Sequence, residues 1–67
     1  MTLNDFQKLL APHTEVSLWA GSSYMLWAGE IGDCDFDLYG GRIVTDVVLY
    51  TRDYYRSFLV YLQPAGQ

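Results

Sequence analysis

One cysteine and one histidine are the residues of this chain that could form a nucleophilic dyad. Cysteine catalysis needs a base beside the thiol and a third group that orients the base. Cys34 and His13 are the sole residues of their types, and no catalytic motif surrounds either one. Two such ligands also fall short of the four or so that a structural zinc site takes. The sequence therefore predicts a turn histidine after Pro12, a loop or half-buried thiol, and no enzymatic activity.

Three aspartates alternate along residues 33–37 in the pattern D-x-D-x-D. They are Asp33, Asp35 and Asp37, and they resemble the first ligand positions of a calcium-binding loop. The sixth position of such a loop should be glycine and is Leu38; the twelfth should be a bidentate glutamate and is Val44. The segment is thus interpreted as solvated and acidic, free to contact a basic partner. We expect no metal and no cofactor.

The composition points to a binding role. The chain has 67 residues, of which 51% are hydrophobic and 16% aromatic. A domain this short buries only about 60% of the surface of its unfolded chain, so it needs help from disulfides, metals or association. With one cysteine, no internal disulfide can form. Tyrosine and tryptophan are enriched at interfaces, and we therefore expect self-association or docking on a partner protein.

The charge balance narrows the class of partner. Eight acidic residues stand against four basic ones, for a net charge of −4. The basic residues are scattered, so direct nucleic-acid binding and attachment to anionic membranes are both disfavoured. The sequence lacks an apolar run long enough to span a membrane and an N-terminal signal pattern. These features, with the free cysteine, predict a cytoplasmic protein that could be steered towards a basic surface.

The N-terminal pattern predicts a short helix over residues 3–11. Thr2 and Asp5 have the spacing of a helix cap followed by an acid in the first turn. Leu3, Phe6 and Leu10 recur at spacings of three and four, which places them on one helical face. Pro12 should end the helix, because the residue before proline avoids the helical region.

The remainder of the chain predicts two β-hairpins. Residues 14–29 and 42–62 carry strand-like residues around short turns at 21–23 and 51–53. Residues 30–41 form an acidic connection with a helical turn at 36–39. Residues 63–67 form a tail. The predicted fold is a single α+β domain over residues 1–67, with one helix packed on a four-stranded antiparallel sheet in the order α-β-β-β-β.

The register of the first hairpin is open between two alternatives. A two-residue loop groups Val16, Leu18, Met25 and Trp27 on one face, whereas a three-residue loop groups Val16, Leu18, Leu26 and Ala28. We favour the three-residue loop, which places Trp19, Met25 and Trp27 together on the face away from the helix. Nothing remains in the chain to cover that face, and its area exceeds the apolar patches typical of monomers.

The pattern L-x-x-F-x-x-L-L, followed by T-E-V-x-L, L-W-A-G-E and R-I-V, resembles small proteins encoded by phages and prophages of Gram-positive bacteria. The resemblance covers most of residues 2–50, and the extra aromatic residues and the cysteine depart from it. Many such acidic phage proteins antagonise host defence, anti-CRISPR proteins among them. The matching residues are Leu3, Phe6, Leu9, Leu10, Thr14, Glu15, Val16, Leu18, Leu26, Ala28, Gly29, Glu30, Arg42 and Val44.

The resemblance implies a non-catalytic inhibitor of a host defence nuclease such as a CRISPR effector, whose guide and target channels are basic. One alternative is a homo-oligomeric assembly protein that uses the uncovered sheet face. Another is a protein that sequesters a nucleotide signal, with phosphate held by Arg42, Arg52 and Arg56. The residues predicted to bind the protein partner are Glu30, Asp33, Asp35, Asp37, Trp19, Trp27, Tyr54 and Tyr55.

Overall fold

The computed structural model describes residues 1–21 and 23–64 as a small α+β fold. Two short helices, one 3₁₀ turn and four strands follow one another along the chain. They are α1 (Leu3–Gln7), β1 (Glu15–Ala20), β2 (Tyr24–Glu30), the 3₁₀ turn (Ile31–Asp33), α2 (Phe36–Tyr39), β3 (Val44–Arg52) and β4 (Tyr55–Leu62). The predicted α+β class, the N-terminal helix and both hairpins are confirmed. Ser22 of the first turn and residues 65–67 of the predicted tail lie outside the described residues.

Helix α1 begins where the sequence predicts and ends earlier. The Thr2 hydroxyl accepts the Asp5 N–H at 3.2 Å, and the Asp5 carboxylate accepts the Thr2 N–H. That backbone hydrogen bond, reinforced by the Thr2 hydroxyl, holds the pKa of Asp5 below its ordinary value. After Gln7 the N–H groups of Leu9 and Leu10 bond three residues back rather than four. The chain therefore tightens before Pro12, and the predicted span of 3–11 is too long.

The four strands form one sheet in the order β2-β1-β4-β3. Both hairpins are antiparallel, as predicted. The central pair, β1 with β4, is parallel, with Val16 beside Phe58 and Ala20 beside Leu62. The prediction of a fully antiparallel sheet is therefore wrong at its centre, and the sheet is mixed.

The acidic connection explains the mixed topology. Strands β2 and β3 run in the same direction at opposite edges of the sheet. Strands with the same direction need a crossover of about a dozen residues or more, and residues 31–43 supply it with the 3₁₀ turn and α2. The helical turn predicted at 36–39 is confirmed. It carries the chain across one face of the sheet, which a simple meander would not do.

The face crossed by this connection contains the core. Leu3 of α1 and Ile31 of the connection pack against alternate residues of the two central strands, and the Cys34 side chain is buried with them. Phe36 and Tyr39 of α2 pack on the margin of this cluster. The sheet residues fully buried there are Val16, Leu18, Val60 and Leu62. Alternation along a strand explains why every second residue of β1 and β4 belongs to the core.

A β-bulge in the first hairpin combines the two registers considered from sequence. Trp19 pairs with Met25, as the three-residue loop requires, but Leu18 pairs with Trp27, as the two-residue loop requires. Leu26 is the extra residue between them. A bulge turns two successive side chains towards similar directions, so Leu26 and Trp27 both pack against the core. The predictions that Trp27 faces away from the helix and that Ala28 joins the core face are therefore wrong.

The second hairpin has a tighter turn than predicted, and the turn lies later in the chain. Strand β3 continues through Arg52, and a two-residue turn of Asp53 and Tyr54 leads into β4. Asp53 has φ 54°, in the left-handed region that aspartate tolerates better than most residues. The turn predicted at residues 51–53 is therefore displaced by about two residues. The hairpin tip projects past β1, and residues 48–56 are exposed.

Candidate protein-binding face

The second face of the sheet is not covered by any described element. We call it the open face; its side chains alternate with those of the core along all four strands. In the centre, Cα pairing sets Ser17 beside Ala28 and Leu59 beside Val48. The open face comprises Ser17, Trp19, Met25, Ala28, Val48, Tyr50, Tyr55, Ser57, Leu59 and Tyr61, with the charged residues Asp46 and Arg52 on its β3 edge. Most of these residues are apolar or aromatic, so the predicted uncovered apolar face is present.

Two aromatic pairs stand on the open face. The rings of Trp19 and Tyr61 lie side by side on the parallel strands, with centroids 6.4 Å apart. The rings of Tyr50 and Tyr55 meet edge to face across the second hairpin, also at 6.4 Å. Both separations are within the range of favourable ring contacts. The Trp19 indole N–H donates to the Ser17 hydroxyl at 2.9 Å, which fixes the orientation of the indole.

A shallow depression of about 310 Å³ lies between the two aromatic pairs. Its floor contains small side chains, among them Ser17, Ala28 and the buried Ser57. Its walls are aromatic or aliphatic, and Glu15 stands at its rim. Rings around a small floor with one carboxylate suit the apolar stem and cationic end of a lysine or arginine side chain.

The predicted partner-binding residues do not form one surface. Trp19 and Tyr55 lie on the open face. The exposed residues Asp33, Asp35 and Asp37 belong to the connection that crosses the opposite face. Trp27 is half-buried on that same covered side, next to the core. A single flat partner surface therefore cannot contact the aspartates and Trp19 together.

The alternating aspartates have a local structural role. The Asp35 carboxylate accepts the N–H groups of Asp37 and Leu38 at 3.1 and 3.3 Å and thereby caps α2. Helix N-termini favour such capping side chains. Within residues 1–21 and 23–64, no group of three or more His, Cys, Asp or Glu side chains is arranged to hold a metal ion.

Glu30, at the end of β2, is predicted to act together with the three aspartates, but its carboxylate pairs with His13. The Nδ1 atom of His13 lies 2.6 Å from a carboxylate oxygen of Glu30. The hydrogen bond to Glu30, followed by the Glu30 charge, raises the pKa of His13 above its ordinary 6.5. Glu15 is the cross-strand partner of Glu30, and like charges in such positions repel. Protonated His13 offsets part of that repulsion.

The His13–Glu30 pair predicts that the stability of the fold depends on pH. Because the folded pKa is raised, the stabilisation is fully present below the unfolded value of 6.5 and is lost as pH rises through the folded value. In an NMR titration of the imidazole, Glu30→Gln should move the pKa of His13 back towards 6.5. Glu15→Gln, the matched control, should leave the pKa nearly unchanged. Equal titration curves for the native chain and Glu30→Gln would contradict the pairing.

Cys34 is held as a thiol. Burial, with a smaller effect from the Asp35 charge, raises its pKa to about 11, whereas nucleophilic cysteines have lowered pKa values. His13 is engaged with Glu30 and is exposed. The structure therefore gives neither member of the considered dyad the environment that activates a thiol.

Tyr54 lies near Arg52 and Arg56 at the tip of the second hairpin, whereas Arg42 lies far from it. Tyr54 is fully exposed at the hairpin tip, and with Arg56 and His13 it lines a groove of about 500 Å³ beside β4. Arg42 precedes β3 at its far end, where its carbonyl accepts the Leu3 N–H. At about 3.3 Å per strand residue, roughly 30 Å separates it from Arg52. Of the three arginines considered for phosphate binding, Arg52 and Arg56 are therefore neighbours across the second hairpin, and Arg42 is not brought together with them.

Several residues of the open face were not among the predicted site residues. They include Ser17, Met25, Ala28, Val48, Tyr50, Ser57, Leu59 and Tyr61. The alternation Tyr55, Ser57, Leu59, Tyr61 along β4 was the available signal. The sequence does not show which face of the sheet these alternate residues of β4 occupy, because that depends on the parallel pairing of β4 with β1.

Comparison of the chain with protein-family models, with curated proteins and with solved structures finds no match. In the part of the chain that the structure describes, no helix is both long and apolar enough to cross a membrane.

Proposed function

We propose that this chain is a non-catalytic binding protein that docks its open face on a basic surface of a partner protein. The observation that carries the proposal is the uncovered depression between the Trp19–Tyr61 and Tyr50–Tyr55 pairs. Aromatic side chains around a desolvated centre are typical binding hot spots. The rim carboxylate of Glu15 and the net charge of −4 favour a cationic side chain as the inserted group.

For the partner, we propose a host defence nuclease, whose channel for nucleic acid is basic. The acidic charge supports this class of partner, and so does the resemblance to phage proteins. The surface differs from the one expected from sequence, because the aspartates of the connection lie on the other side of the sheet. An inhibitor using the open face would rely on Glu15 and on the aromatic pairs rather than on Asp33, Asp35 and Asp37.

Capture of the purified nuclease complex on immobilised chain tests the proposal. Trp19→Ala should raise the dissociation constant at least about tenfold, since a central aromatic anchor is lost. Tyr24→Ala is the matched control, because Tyr24 is an exposed aromatic residue on the covered side of β2. Circular dichroism should show that both variants are folded. Equal binding by the two variants would exclude the open face as the docking surface.

The acidic connection is tested separately. Asp33→Asn combined with Asp37→Asn removes two charges and leaves the Asp35 cap of α2 intact. We expect binding to change by less than about threefold, apart from a general weakening of long-range attraction. A loss as large as that of Trp19→Ala would assign the contact to the connection instead.

A further inference from the structure

The two outer strands differ in how they protect their free backbone edge. Strand β2 is interrupted by the bulge at Leu26, and the Tyr39 hydroxyl donates to the Leu26 carbonyl at 3.4 Å. Strand β3 is irregular only at its start, between Val44 and Asp46. From Asp46 to Arg52 it is regular, and the described residues place no further strand beside it. A long regular edge without proline is a template for another strand.

The turn of the second hairpin determines which backbone groups face outward. A two-residue loop closes on a hydrogen-bonded pair, here Arg52 with Tyr55. Counting back from Arg52, the even-numbered residues direct their backbone groups to β4, and Val47, Leu49 and Thr51 direct theirs outward. The Val47 N–H accordingly reaches the Asp46 carboxylate at 2.9 Å. The edge thus presents three residues with outward donors and acceptors, and Asp46 stands among them.

We propose that β3 pairs antiparallel with β3 of a second copy of this chain, centred on Leu49. Facing residues of the two β3 strands must point to the same side of the sheet. An even-numbered residue can therefore face only an even-numbered residue of the second copy, and an odd-numbered residue only an odd-numbered one. The Leu49-centred register sets Asp46 opposite Arg52 of the second copy. The two-fold axis repeats this pair, so both charges of the regular segment gain an opposite partner on each copy.

The other facing pairs of this register are also compatible. Leu49 meets Leu49 of the second copy, and both outward backbones bond at that point. Val48 faces Tyr50 of the second copy on the open side, a β-branched and aromatic pair of the kind that stabilises sheets. A register centred on Val48 would instead leave Asp46 against Tyr50 and give neither charge a partner. Charge complementarity therefore selects Leu49.

The pairing yields an eight-stranded sheet with a two-fold axis perpendicular to it. Both open faces then lie on one side of the sheet and meet at the two β3 strands. The Asp46 carboxylate exchanges its bond to the Val47 N–H for the arginine of the second copy, and the freed N–H bonds to the facing strand. Dimerisation also stabilises a chain that is too short to be highly stable by itself.

Sedimentation equilibrium on the full chain at low salt tests the pairing. Arg52→Asp should raise the dimer dissociation constant at least about tenfold, because two attractive pairs become repulsive. Asp46→Arg should do the same, and the double variant Asp46→Arg/Arg52→Asp should return the constant to within about threefold of the native value. Arg56→Asp, with the same charge change on β4, is the control. A monomeric native chain at millimolar concentration, or a double variant as weak as the single ones, would overturn the proposal.

Cysteine cross-linking tests the register without depending on the charge variants. Leu49→Cys should form an intermolecular disulfide under mild oxidation, since Cα atoms of a facing hydrogen-bonded pair lie about 5.5 Å apart. Val48→Cys should not, because two such residues would be diagonal neighbours at roughly 7–8 Å. Cross-linking by Val48→Cys alone would exclude the Leu49-centred pairing. The inference stands apart from the proposed function: Trp19→Ala should weaken partner capture and leave the dimer unchanged.

Discussion

Replacing Leu18 with alanine is expected to lower the free energy of unfolding by about 3–4 kcal/mol, as for other fully buried leucines. Leu18 lies in the central strand β1, is 0% exposed and belongs to the core cluster. A domain of this length has a total stability of roughly 3–10 kcal/mol. The variant should therefore lose a large fraction of its stability and unfold at a clearly lower urea concentration than the native chain, as titration monitored by circular dichroism would show.

Leu38→Ala is the matched control for the core prediction. Leu38 lies in α2 with its side chain 63% exposed, so the same chemical change should cost less than about 0.5 kcal/mol. Similar denaturation midpoints for the two variants would mean that the core is not centred on β1.

Gly40→Ala is expected to destabilise the fold by about 2 kcal/mol, because the new methyl group has no room. A Cβ atom at this position would lie 2.5 Å from the Phe36 carbonyl oxygen and 2.6 Å from the Asn4 amide nitrogen. The Asn4 side chain can move, but the carbonyl belongs to α2. The Gly40 carbonyl also accepts the Asn4 N–H at 2.9 Å, so the substitution should separate α1 from α2.

The neighbouring glycine offers a control for this effect. A Cβ atom at Gly41 would meet nothing within 4 Å, so Gly41→Ala should be neutral or stabilise by about 0.5 kcal/mol through the unfolded chain. Thermal unfolding followed by circular dichroism should rank the variants in that order. If Gly41→Ala were the more damaging one, the contact between the two helices would be different from the one described.

Features set by neighbouring residues were predictable from sequence. The Thr2–Asp5 capping box, the helical turn at Phe36–Tyr39 and the two hairpins each depend on residues close together in the chain. The parallel pairing of Val16 with Phe58 depends on residues far apart. No local pattern distinguishes this pairing from an antiparallel one, although the length of the connection favours a crossover.

The candidate site was predictable only in part, and for a related reason. An uncovered aromatic face followed from the excess of Tyr and Trp and from the presence of few elements to cover the sheet. The assignment of Trp27 to that face failed because one extra residue, Leu26, reverses the alternation of β2. A bulge depends on the fit of two strands against a core, and hydrophobic periodicity does not report it.

The parallel seam between β1 and β4 also bears on how fast the molecule assembles. Each hairpin can form by itself within microseconds, but an isolated hairpin has little stability in water. The sheet becomes stable only when β1 pairs with β4, as at Val16 and Phe58. This pairing requires the closure of a long loop, which costs conformational entropy. Folding should therefore be limited by the search of one hairpin for the other, and it should be slower than that of a helical bundle of equal length.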